Sequence, residues 1–492
     1  MTKKMTRREM LVFSSAATAA TLMEHGARAV TNAEYIPRFQ LPLRVPSILQ
    51  PVHTDVDRDY YEVSQREAQV SILPGKLTTI WGYDGLFPGP TIKAKRDRSV
   101  VIRYTNQLTV PTAVHLHGGS TAPEFDGFPM DVMLPGESQT YLYENKRCAA
   151  TLWYHDHAMG HTARNIYQGL AGLYLIEDDI ESALCLPSGS SDIPLIIQDR
   201  IISDDGSLRY VAGLGNQTGV RGNALLVNGQ PWPKLEVATR KYRFRILNAS
   251  NSTPYRLALS SGQSFIQVAT DGGLLPAPVS CSEISLAMAE RVEVVIDFSI
   301  YPLGTRIFLQ NLNGRGPLAE IMRFEVVNQE QDDSIMPLRL APFEPLDERA
   351  AVRTRTFVFA SSLSLGVPPL HWTINGKKFS PDHPIVEPHL GDVEIWHFIN
   401  HNPKMLGVFA MLHPVHVHLV NFQILTRNGG PPKPFESGWK DTVALEKGEE
   451  VRVIMKFENY RGCYLIHCHN LEHEDHSMMA RFDVIERLVN PA

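Results

Sequence analysis

From about residue 60 the chain alternates apolar and polar positions over short runs, which is the period of a half-buried strand. Val70–Leu73, Leu77–Trp81 and Val100–Tyr104 predict strands, with turns at Pro74-Gly75 and Phe87-Pro88-Gly89-Pro90. Gln168–Glu177 predicts the last strand of a first unit. The pattern returns in Pro194–Arg200, Tyr242–Asn248 and Val292–Phe298, and again in Thr356–Phe359, Val393–Asn400 and Val451–Phe457. Short strands at this spacing predict an all-β protein of sandwiches or barrels. In Tyr242–Asn248 the arginines Arg243 and Arg245 alternate with apolar residues, so they are expected on a solvated face.

A length of 492 residues accommodates roughly three domains. The run Glu177-Asp178-Asp179 followed by Leu186–Ser191 marks one boundary, and the charged, proline-bearing Glu330–Arg355 marks another. The resulting division is 30–185, 186–335, a linker at 336–355, and 356–492. Residues 1–29 read as an export signal. They hold basic Lys3, Lys4, Arg7 and Arg8, a mildly apolar Met10–Met23, and Ala27-Arg28-Ala29 as a small-x-small cleavage site. Thr6–Leu11, with its arginine pair, resembles a twin-arginine signal. The expectation is an exported, periplasmic or extracellular protein that meets the export machinery through this segment. No later stretch has transmembrane length, so the mature chain is expected to be soluble.

The net charge of -6 offers no electrostatic case for nucleic acid, and an apolar content of 43% allows each domain a core. Histidine changes the picture. There are 19, and ten fall in four tight groups: His115-Leu116-His117, His155-Asp156-His157, His413-Pro414-Val415-His416-Val417-His418, and His467-Cys468-His469 with His473. Each group holds a His-x-His pair, where chance gives about one such pair in the whole chain. On a strand such a pair points to one face and the residue between to the other. Cys468 therefore faces away from His467 and His469, and two metal sites are expected back to back. His473 and Met478 follow at loop distances and fold back toward Cys468. A histidine-rich surface loop or a four-ligand zinc site is the plainer reading, but so many imidazoles with one thiolate exceed a structural zinc site. Two histidines, a cysteine and a distant methionine define blue copper. His397, alone on its strand, reads as a half-buried strand residue. The middle third contains no histidine. Cys148, Cys185, Cys281 and Cys463 remain as disulfide candidates or plain thiols.

These motifs, in this order from about residue 50 to the C-terminus, resemble the multicopper oxidase family, and within it the spore-coat-type laccases and bilirubin oxidases. Pro434–Asp441 and His467–His476 carry that closer similarity. The resemblance implies three cupredoxin-like, Greek-key domains and four copper ions. It implies a type 1 copper on His413, Cys468, His473 and axial Met478, and a type 2 copper on His115 and His416. It implies a type 3 pair on His117, His155, His157, His418, His467 and His469. A small-molecule donor would give electrons one at a time through an exposed edge of His473. They would cross from Cys468 to His467 and His469, and O2 would be reduced to water. Asp126 and Glu474 match acidic positions that relay protons, a task that needs a carboxyl within reach of the bound oxygen. Asp475 and His476 carry weaker expectations of supporting hydrogen bonds.

Met411 stands where bilirubin oxidases carry a tryptophan two residues before the first type 1 histidine, which disfavours bilirubin as donor. No dense methionine cluster favours oxidation of Cu(I); Mn(II) is the other metal-ion alternative. Residues Asn402 to Leu412 are candidates for the donor side. A non-catalytic cupredoxin relative is the reading from a different class, and it fits poorly with a full ligand set.

Overall fold

The computed structural model describes residues 36–211, 217–363, 370–400 and 411–487. The export signal expected at 1–29, and positions 402–410 of the donor-side segment, lie outside the described residues. Each third of the chain builds two sheets facing one another. In the first unit, His53–Thr54, Arg58–Val70, Ser99–Asn106 and Ser138–Tyr143 pair in that order with Thr78–Tyr83 on the side. They face a sheet of Ile92–Lys95, Ala171–Glu177, Ala150–Asp156 and Val114–His117. Alternation drives this pairing: Val100, Ile102 and Tyr104 are buried while Arg103 is exposed. The core between the sheets is rich in tyrosine, with Tyr83, Tyr104, Tyr141 and Tyr154 in ring contact.

The three units share a topological mark. In each, an early strand pairs in parallel with one begun about forty to fifty residues later: Arg58–Val70 with Ser99–Asn106, Asp192–Arg200 with Lys241–Asn248, and Ala351–Leu363 with Val393–Asn400. The neighbouring pairs are antiparallel, the mixture that Greek-key crossovers produce. Among the described residues the middle unit has sheets of seven and five strands, and the last has sheets of five and four. Phe39 and Leu43 hydrogen-bond to Trp232 and Lys234, and Ile72 and Leu73 enter the middle core, so the first third of the chain is anchored on the second. Among the described residues no disulfide forms; Cys148 and Cys185 are exposed, Cys281 is buried and Cys463 is half-buried, all free.

Two expectations are corrected. Arg243 and Arg245 are not solvated. Their face of the middle sheet is covered by the first unit, and both are buried at 4% and 3% exposure. Arg245 reaches Glu293, Asp192 and Glu181, and Arg243 is paired with Glu293 and Glu181. Thr151 of the first unit joins them, donating to Glu293 at 2.7 Å. The chain after Cys468 is not a simple loop either: Leu471–Asp475 forms one helical turn, and the turn carries His473 back beneath the strand.

Burial alone would raise the Glu293 carboxyl, but Arg243 and Arg245 bring it down to about 2. A depressed carboxyl stabilises above its ordinary pKa, and the contribution is lost as pH falls toward 2. Glu293→Ala leaves two buried guanidiniums short of a partner, a loss on the order of 3–5 kcal/mol. A urea midpoint within error of wild type would show that the network contributes no such stability.

Candidate metal centre

Four strands place the imidazoles. Val114–His117 runs antiparallel to Ala150–Asp156, with His115 opposite His155. In the last unit His413–Val417 lies between Thr442–Leu445 and Gly462–Cys468, with His416 opposite His467 and Val415 opposite Cys468. These two small sheets meet across the boundary between the first and last units. His115 stacks on His418 at 3.9 Å between ring centroids, and His117 stacks on His416 at 3.6 Å. Because opposite residues in an antiparallel pair share a face, the alternation that turns His467 and His469 toward this boundary turns Cys468 away from it.

The donor atoms fall into compact groups. His115, His117 and His416 make one; His117, His155 and His469 a second; His157, His418 and His467 a third; His413, Cys468 and His473 a fourth. Every one of these residues is buried. Burial holds His115, His117, His155, His416 and His418 well below the ordinary imidazole value. It brings His413 and His469 down to about 3. A neutral imidazole has one N–H, and here it is committed elsewhere in several rings. His115 Nδ1 donates to the Asp126 carbonyl at 2.6 Å, His416 Nδ1 to the Asp441 carbonyl at 2.9 Å, and His155 Nδ1 to the Asp156 carbonyl at 2.8 Å. His418 Nδ1 donates to Asp126 Oδ2 at 2.7 Å.

What remains are bare lone pairs facing one another. His115 Nε2 lies 3.4 Å from His416 Nε2, and His418 Nε2 lies 3.1 Å from His467 Nε2. His117 Nδ1, His155 Nε2 and both nitrogens of His469 are buried without a hydrogen-bond partner among the described residues. Lone pairs in such contact repel unless a cation stands between them. Two nitrogens bound at ~2.0–2.1 Å to one ion in a tetrahedral or trigonal arrangement sit about 3.3–3.6 Å apart, close to the spacing found. The residues therefore fit metal.

In the fourth group His413 Nδ1 lies 3.4 Å and His473 Nδ1 3.6 Å from Cys468 Sγ, with the two nitrogens 3.2 Å apart. Burial pushes the Cys468 thiol far up, so only a bound cation makes it a thiolate. The Asn470 N–H donates to Sγ at 3.4 Å. Met478 is fully buried beside this group; its N–H donates to the His473 carbonyl at 2.9 Å and its carbonyl accepts from Cys468 N–H at 3.0 Å. The expected exposed edge of His473 is absent: the ring is buried, with Trp372 stacked on it at 3.7 Å.

Asp126 and Glu474 are both buried at the imidazole cluster. Besides His418, Asp126 lies 3.6 Å from His115 Nδ1. Burial raises its pKa. Glu474 lies 3.1 Å from His467 Nδ1 and 3.7 Å from His157 Nε2. Asp475 accepts from the Ala163 N–H at 3.0 Å, and His476 Nδ1 donates to the Glu472 carbonyl at 2.6 Å, so both brace the helical turn. His397 is half-buried on its strand, 3.2 Å from Glu450 and away from every group. Sequence reasoning missed Asp441, whose Oδ1 takes the His117 Nε2–H at 3.1 Å; its only signal was its place in the motif Pro434–Asp441. It also missed Trp153, whose ring lies 4.1 Å from His155, and Trp372.

Multicopper oxidase sequence profiles match residues 64–181 and 356–487. The laccase of Bacillus subtilis strain 168 is 38% identical, over 92% of this chain and 99% of its own length. The bilirubin oxidase of Albifimbria verrucaria is 38% identical, over 91% of this chain and 81% of its own. A laccase crystal structure from Pediococcus acidilactici superposes with a TM-score of 0.83 at 32% identity, covering 92% of this chain and 95% of that one. The chain belongs to the multicopper oxidase family, with cupredoxin-like β domains and the family's four coppers. It is a laccase-like oxidoreductase that uses O2 as acceptor.

Proposed function

We propose that His413, Cys468, His473 and axial Met478 hold the type 1 copper and that His115 and His416 hold the type 2 copper. His117, His155 and His469 then hold one ion of the type 3 pair, and His157, His418 and His467 hold the other. The observation that carries this reading is the tripeptide His467-Cys468-His469, whose thiol belongs to one group and whose two imidazoles belong to two others. When bound, the coppers supply one-electron acceptance at one end and four-electron reduction of O2 to water at the other.

The chain does the rest. It excludes water by burying every donor atom, and it sets each tautomer through carbonyls and carboxylates. Asp126 Oδ2, against His418 Nδ1, and Glu474, against His467 and His157, are carboxyls set at the oxygen side, where they can carry protons. Phenols, aromatic amines or tetrapyrroles are the donors this reading favours, in keeping with what the laccase and bilirubin oxidase relatives are named for. Met411, partly buried against the core around the type 1 group, offers no aromatic surface to a tetrapyrrole and tilts the choice to smaller phenols.

Oxygen uptake by the copper-loaded protein with a phenol, bilirubin, Cu(I) and Mn(II) tests the donor class, with the phenol expected to be fastest. Cys468→Ser is expected to lose the blue colour and donor-driven uptake while copper remains on the imidazole groups. A blue Cys468→Ser variant would contradict the ligand assignment. Asp126→Asn is expected to lower kcat about 10²–10⁴-fold without slowing reduction of the blue copper by donor. Since burial raises the Asp126 pKa, its acid form survives to higher pH than an ordinary aspartate. Wild-type kcat should then fall as pH rises through that pKa, and Asp126→Asn should flatten this limb. A variant with wild-type kcat and an unchanged pH profile would remove Asp126 from proton delivery.

A further inference from the structure

The motif Pro434–Asp441 is clasped by the middle unit. Gln267 Nε2 donates to the Phe435 carbonyl at 2.9 Å, and Thr270 Oγ1 and the Gly272 N–H donate to the Trp439 carbonyl at 2.8 and 2.7 Å. Lys440 Nζ lies 2.8 Å from Asp271 and 3.2 Å from Glu290. The next residue, Asp441, meets Arg291. All five N–H groups of that guanidinium are used. Nε donates to the Thr151 carbonyl at 3.0 Å. Nη1 donates to the Ala289 carbonyl at 3.0 Å and to Asp441 Oδ1 at 2.8 Å. Nη2 donates to the Asp271 carbonyl at 3.1 Å and to Asp441 Oδ2 at 2.6 Å. One fully buried side chain thus gathers acceptors from all three units.

Asp441 passes this constraint to two imidazoles. Its Oδ1 lies 3.1 Å from His117 Nε2, whose N–H it shares with Thr442 Oγ1 at 3.0 Å; it also takes the Thr442 hydroxyl at 2.9 Å, while its carbonyl takes the His416 Nδ1–H. His117 is thereby left presenting Nδ1 and His416 presenting Nε2. The space is closed around the pair: a Cβ at Gly118, where φ is +84°, would stand 2.6 Å from Asp441 Oδ2 and 2.8 Å from Arg291 Nη2.

We propose that Arg291 is a positioning residue for the oxygen-reducing site, holding Asp441 in a two-point grip so that His117 and His416 offer the correct nitrogens to the type 3 and type 2 coppers. The proposal rests on the ligand assignment above. It gives the histidine-free middle unit a direct part in the metal chemistry. A lysine cannot replace the grip, because an ammonium lacks the two parallel N–H groups that match a carboxylate. Lys440 supplies the contrast, since it fastens the same motif to the same unit without touching an imidazole.

The test is copper content, blue absorbance and the type 2 electron paramagnetic resonance signal of copper-loaded wild type, Arg291→Lys, Asp441→Asn and Lys440→Met. Arg291→Lys and Asp441→Asn are expected to stay as blue as wild type. Their type 2 hyperfine splitting should be altered, and their type 2 copper held roughly 10–100-fold more weakly against a chelator. Lys440→Met is expected to match wild type in both type 2 readouts. Wild-type type 2 signals and chelator resistance in both Arg291→Lys and Asp441→Asn would overturn the proposal. So would an equal change in Lys440→Met, which would make the contact a clasp between units and nothing more. Should Arg291→Lys fail to fold, the near-isosteric Asp441→Asn decides alone. A wild type without any type 2 signal would instead overturn the ligand assignment beneath the proposal.

Discussion

Neutral imidazoles with their lone pairs forced together in a dry interface are the constraint on which this molecule turns. His115 and His416, or His418 and His467, stand nitrogen to nitrogen at 3.4 and 3.1 Å because their other nitrogens are fixed by carbonyls and carboxylates. For His115, His416 and His418 burial removes protonation as a way out, since a charged imidazole would have to be solvated. A metal cation resolves the conflict. Because each of these imidazole groups draws residues from both the first and the last units, a cation held there would also join the two ends of the chain. Cys468 extends the same logic to a second site. Its thiol resists ionisation until a metal arrives, and its neighbours on the strand already belong to the first site.

The middle unit supplies the frame against which the outer two are set. Its central strands are buried on both faces, and the face that meets the first unit carries the Arg243, Arg245 and Glu293 network. Buried ion pairs of this kind add little net stability over apolar packing but penalise any arrangement that leaves a charge unpaired. Arg291 works in the same way nearer the metal site. Its donors are all satisfied only when the three units take the relative placement found here.

Much of this was legible in the chain itself. Period-two alternation announced the strands, and it also predicted that His115 would share a face with His117 and that Cys468 would oppose His467 and His469, because strand geometry leaves no other choice. The limits were those of local pattern. Arg243 and Arg245 fit an outward face by alternation, and nothing nearby in sequence says that Thr151 and Glu181 cover them from another unit. The turn Leu471–Asp475 is too short to carry a helical period. The covering of His473 by Trp372 joins residues about a hundred positions apart, and the Arg291–Asp441 pair joins residues 150 apart. Such contacts are properties of the assembled fold, and a single sequence carries no local signal for them.

The central claim is that a thiol-bearing site and an imidazole-bearing site, joined through His467-Cys468-His469, act as one unit that takes electrons singly and spends them four at a time. The electron count per O2 consumed tests it most directly. With a phenolic donor in excess and O2 limiting, the account predicts four donor electrons per O2 and no hydrogen peroxide. A ratio of two, with peroxide accumulating in proportion to O2 consumed, would contradict it.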